Sequence, residues 1–145
     1  MKNNFGITIV ELLLVIVIIG LSLAVVFPVG AGFLGRNNLQ NTSNEVVSSL
    51  RTAQLNSLSS KDGSEWGVHI TTSQIIMFPG KTYTPPGTSF DQKYEISPSL
   101  TVTPSDIYFS KLNGLPNQTV IITLQNNFGQ SRVISVNAEG SIDVN

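Results

Sequence analysis

The sequence predicts an α+β chain: a long N-terminal helix, membrane-spanning in its first half, packed on a small antiparallel β-sheet or sandwich domain. Three observations lead there. Residues 7–27 form an apolar run broken only by Thr8, Glu11, Gly20 and Ser22. Residues 38–60 carry an apolar stripe of helical period. Beyond Glu65, apolar residues recur at every second position, and Pro, Gly and Asn punctuate the chain.

The apolar run, Ile7–Phe27, is 21 residues long. As a helix it would measure roughly 32 Å, against a hydrocarbon core of about 30 Å. The apolar region of a secretory signal is shorter, about 7–15 residues. Only Lys2 and the α-amino group stand before the run, and the first charge after it is Arg36. The positive-inside rule therefore favours an N-terminus-inside orientation slightly. Two alternatives remain open. Val29-Gly30-Ala31 has the small-residue pattern of a signal-peptide site, which would release a secreted soluble β-protein. A plain membrane anchor is the other. Neither explains Glu11, because a carboxylate inside a spanning helix costs about 2.5–3.5 kcal/mol near its centre.

Pro28 lacks an N–H and clashes with the preceding turn, and Gly30, Gly32 and Gly35 follow. The stretch Phe27–Gly35 is expected to bend. A second, amphipathic helix is expected from Asn38 to Ser60, with Leu39, Val46, Val47, Leu50, Ala53 and Leu58 on its buried face. Thr42-Ser43-Asn44-Glu45 reads as a capping box that would restart the helix at Thr42. Lys61-Asp62-Gly63-Ser64 ends it as a turn. The expected organisation is residues 7–34 as membrane helix and bend and 35–145 as amphipathic helix plus β-rich domain.

The strands follow in order. Trp66–Ile70 and Gln74–Phe78 alternate and read as a hairpin. Pro79–Phe90 is rich in Pro, Gly and Thr and reads as a loop. Tyr94–Ile96, Leu100–Val102 and Ile107–Phe109 are short strands separated by Pro98 and Pro104. After a turn at Asn113–Asn117, a meander of Thr119–Leu124, Arg132–Val136 and Ser141–Val144 closes the chain. Seven or eight strands are expected.

Composition narrows the chemistry. Charged residues are only 12%, about half the share of an ordinary soluble domain. The absence of cysteine removes disulfides, thiolate catalysis and cysteine-based zinc or iron–sulfur sites. His69 is the single histidine, without the His or Cys partners a zinc site needs. No nucleophile elbow, phosphate loop or EF-hand pattern is present, although Asp62 and Glu65 beside a glycine are a conceivable calcium pair. These readings point away from an enzyme and from a cofactor. The net charge is −1. From Gly80 onward, Lys81, Lys93, Lys111 and Arg132 are set against Asp91, Glu95, Asp106, Glu139 and Asp143. Without a basic cluster, phosphate-backbone binding gains little support.

Gly6-Ile7-Thr8-Ile9-Val10-Glu11-Leu12 resembles the cleavage motif of type IV pilins and type II secretion pseudopilins. In that family a short basic leader ends in Gly, and Glu is the fifth mature residue. The resemblance implies residues 1–6 as a leader, cleavage between Gly6 and Ile7 by a prepilin peptidase, N-methylation of Ile7, and a role for Glu11 in assembly. It also places Gly20 and Pro28 at positions where the helices of many pilins carry Gly and Pro, and where the rod bends. Ile7 replaces the commoner Phe, and Phe5 precedes Gly6 where polar residues are usual. The helix around Leu50–Ala53, the Trp66-Gly67-Val68 strand and the closing meander resemble H-type pseudopilins and FimT-like minor pilins. The family implies an inner-membrane assembly platform, other pilin subunits and lipid as partners, with the C-terminal domain extracytoplasmic. Some FimT-like pilins take up DNA, so a DNA-binding minor pilin is the alternative from another class.

Physical chemistry gives the motif its logic. Glycine lets the backbone extend in a protease groove without a side chain in the way. Cleavage creates an ammonium at the edge of the apolar phase, and Glu11 supplies an anion about one turn away or across to a neighbouring subunit's terminus. Each charge is costly alone and less so as a pair.

Overall fold

The structure is a computed structural model describing residues 7–145, with residues 25–31 described by their backbone alone. The chain divides into two compact units, one ending at Leu34 and the other Gly35–Asn145. Helix α1 is Ile9–Leu58, and its described side chains fall into stretches of about 17 and 27 residues. A 3-10 turn, Lys61–Gly63, follows. The strands are β1 (Trp66–Ile70), β2 (Gln74–Pro79), β3 (Gln92–Glu95), β4 (Leu100–Val102), β5 (Ser105–Phe109), β6 (Val120–Asn126), β7 (Ser131–Val136) and β8 (Ile142–Val144).

The strands form two four-stranded antiparallel sheets, ordered β3-β2-β1-β5 and β4-β6-β7-β8. The period-two pattern explains which faces meet. Trp66, Val68 and Ile70 of β1, Ile75 and Met77 of β2, and Ile107 and Phe109 of β5 turn one face of the first sheet inward. Val120, Ile122, Leu124, Ile134 and Val136 do the same for the second. Leu39, Val46, Leu50 and Ala53 of α1 join both faces in one hydrophobic core.

Polar links fix the helix in register. Gln54 Nε2 donates to the carbonyls of Gly114 (3.1 Å) and Gly140 (3.0 Å), so one side chain holds two distant turns. Buried Ser57 accepts the Trp66 N–H at 2.8 Å. Gly114 has φ +63°, and a Cβ there would lie 2.7 Å from Leu58, so glycine is required by both conformation and space. On the outer face of the first sheet, Tyr83 stacks on His69 with ring centroids 4.8 Å apart and leans on Phe78.

The expected fold needs correction. Among the described residues no helix is long and apolar enough to cross a membrane. The expectation counted from Ile7, but the helix begins at Ile9, and residues 25–27 lie outside the described side chains. The β-rich part holds eight strands, within the seven or eight expected, in two four-stranded antiparallel sheets that share their core with the helix from Leu39 onward. The restart at Thr42 is not used. Thr42 lies inside α1, and neighbouring Ser43 is buried against the domain, because packing of Leu39 and Val46 favours unbroken helix over a new cap. The strand between Pro79 and Leu100 is Gln92–Glu95, slightly earlier than Tyr94–Ile96, with Ile96 N–H donating instead to Ser73.

Candidate functional site

The motif residues sit at the start of α1. Thr8 is its N-cap: Thr8 Oγ1 accepts the Glu11 N–H at 3.2 Å, and the Thr8 carbonyl accepts the Leu12 N–H at 3.1 Å. Glu11 therefore lies in the first turn, where the helix dipole is positive and favours a carboxylate. An ammonium formed at Ile7 would stand just outside the same positive end. Ile7 is 78% exposed, and Gly6 and the rest of the leader lie outside the described residues.

The helix beyond is apolar on all sides. Leu12, Leu13, Leu14, Val15, Ile16 and Val17 occupy every azimuth of the helix, and each is at least 46% exposed. A helix without a polar face is stable where lipid or other apolar helices surround it. The Ser22 hydroxyl is satisfied within the helix by donating to the Ile18 carbonyl at 2.8 Å. Among the described residues a Cβ at Gly20 would meet nothing within 4 Å. Pro28 lies among the residues whose side chains are outside the description.

Sequence reasoning missed Thr8. Its signal was present: Thr8-Ile9-Val10-Glu11 has the T-x-x-E spacing of a capping box. Reading Thr8 as an interruption of the apolar run hid its role as the start of the helix.

The other candidates are dispersed. Lys81 lies 3.7 Å from Glu65, Lys93 Nζ donates to the Pro86 carbonyl, Lys111 Nζ donates to the Gly63 carbonyl, and Arg132 is on β7. These four cations fall on different elements. His69 Nδ1 contacts Asp106 Oδ1 across the β1–β5 pair. Glu65 turns to Lys81, and among the described residues no group of three or more His, Cys, Asp or Glu could hold a metal ion.

Comparison with models of known protein families, with curated proteins and with solved structures finds no match.

Proposed function

We propose that this chain is a structural subunit, a minor pilin or pseudopilin of a type II secretion or type IV pilus filament. A prepilin peptidase cuts it between Gly6 and Ile7 and methylates the new Ile7 amine. The protein is held at the cytoplasmic membrane with its C-terminal domain extracytoplasmic. It then joins the filament through its N-terminal helix, with the assembly platform and other subunits as partners.

The observation that carries this reading is the division of labour along α1. From Leu39 the helix completes a closed core, whereas the apolar side chains from Ile9 to Leu23 are exposed and have only Glu11 as a charge among them. Exposing that much apolar surface is unfavourable by about 25 cal/mol per Å², so the segment calls for a covering outside this chain. A lone carboxylate in the first turn suits a covering that brings its own ammonium.

The test is mass spectrometry of the membrane fraction. The mature chain is expected to begin at Ile7, one methyl group heavier, and Gly6→Leu is expected to block the cut. A soluble product starting at Gly32 would overturn the reading in favour of an ordinary secreted protein.

A further inference from the structure

Arg132 is in an unusual place for a cation. It lies in phase with Ile134 and Val136 on β7, both buried in the core, and is paired across the sheet with fully buried Leu124. Side chains of that phase point inward. Arg132 is half-buried, yet among the described residues no carboxylate lies within ion-pair distance of its guanidinium and no hydrogen bond reaches it. Arg36 is in the same position electrostatically, again with no acid and no hydrogen bond among the described residues.

The fold brings the two together. A cleft of about 400 Å³ is lined by Arg36, Asn37 and Gln40 of α1 and by Gln130 and Arg132 at the start of β7. Leu39 and Ser131 complete the lining, and none of the lining residues is acidic. Gln130 spends its Oε1 on Asn126 Nδ2, which leaves its amide N–H groups free to donate. Two like charges share one cleft with amide donors, and among the described residues no acid lines it.

We infer that this cleft is an anion site for a phosphate group. Guanidinium groups match phosphate oxygens bidentately, with charge-assisted bonds roughly twice as strong as neutral ones. The half-buried Arg132 would fix the position of the phosphate, and the exposed Arg36 would close over it. Two sources share this chemistry: the headgroup of an anionic phospholipid and a free phosphomonoester. An extended nucleic acid fits less well, because Lys81, Lys93 and Lys111 lie on other elements and hold carbonyl or carboxylate partners of their own. The inference concerns Gly35–Asn145 alone and does not rest on the filament reading.

The test uses the full chain in a neutral detergent, titrated by calorimetry with inorganic phosphate, with soluble dihexanoyl phosphatidylglycerol and with dihexanoyl phosphatidylcholine. Saturable binding of phosphate, of phosphatidylglycerol or of both is expected, with phosphatidylcholine at least 10-fold weaker than whichever binds. Binding of phosphatidylglycerol identifies the lipid headgroup as the source, and binding of phosphate alone identifies a free phosphomonoester. Arg36→Gln and Arg132→Gln should each raise the dissociation constant at least 10-fold, and Arg132→Lys should fall between wild type and Arg132→Gln because it keeps the charge but loses the fork. Arg36 is exposed, so its variant remains informative if Arg132→Gln fails to fold. Binding of neither anion, equal binding of phosphatidylcholine, or anion binding unchanged by Arg36→Gln would overturn the proposal. So would a single-stranded oligonucleotide binding 10-fold tighter than either anion with Lys81→Ala and Lys111→Ala as the damaging substitutions.

Discussion

Leu14 and Leu50 belong to the same helix and meet opposite fates: Leu14 is 56% exposed and Leu50 fully buried. Helix propensity treats them alike. What differs is the chain around them. Around Leu50, Asn44, Ser48 and Arg51 are exposed on the outer face, and two sheets supply apolar partners for the inner one. Around Leu14 the neighbours on the helix are apolar except Glu11, one turn earlier. One half of α1 is thus a component of a fold, and the other, on the reading proposed above, is a surface for assembly. Damage to the first should appear as lost stability, and damage to the second as lost assembly with stability intact.

The largest effect should come from Leu50→Asp. An unpaired charge at the centre of the shared core should cost roughly 4 kcal/mol or more, a large part of the about 5–15 kcal/mol that holds a typical domain together. Urea unfolding of residues 35–145, followed by tryptophan fluorescence of Trp66, is expected to show stability lowered by at least about 4 kcal/mol. A midpoint close to that of wild type would mean that the core does not close over this position.

Glu11→Leu should give the converse result. The domain's unfolding curve should stay that of wild type, and cleavage at Ile7 should proceed, while recovery in sheared or cross-linked filaments drops at least 10-fold. An ion pair about 4 Å apart at an effective dielectric constant near 20 is worth about 4 kcal/mol before desolvation. Glu11→Asp keeps the charge on a shorter arm and should be intermediate. Wild-type levels of Glu11→Leu in filaments would dismiss charge pairing as the basis of assembly.

Ser57→Ala probes the folded half more gently. It leaves the buried Trp66 N–H without its acceptor, at a cost of about 1–3 kcal/mol, measurable as a lowered urea midpoint with an unchanged slope. Thr8→Ala is the mildest change, and it acts on the other half. Loss of the cap should cost about 1 kcal/mol locally, read as faster amide exchange at Glu11 in micelles, with no shift in the domain's midpoint. A midpoint shift there would show that the two halves of α1 are energetically coupled.

Local pattern sets much of this molecule. The two-residue period of Trp66–Ile70 and Val120–Leu124 dictates which side chains face inward, whatever the sheet order. The 3.6-residue period does the same for Leu39, Val46, Leu50 and Ala53. The Gly6–Glu11 motif is likewise local: its spacing lies within one stretch of chain, and Thr8-x-x-Glu11 already contained the helix start. Other features are decided by partners far away in sequence. Thr42-Ser43-Asn44-Glu45 is a sound cap in isolation, but Leu39 and Val46 gain more by staying on one unbroken helix against the sheets. The division of eight strands into two sheets of four is also invisible in alternation, since a strand's period says which face is buried and nothing about which strand lies beside it. The meeting of Arg36 with Arg132 has no local trace for the same reason. Periodicity and capping act through neighbours in the chain and can be read from it, whereas a cleft exists only once α1 and β7 have been packed against the same core.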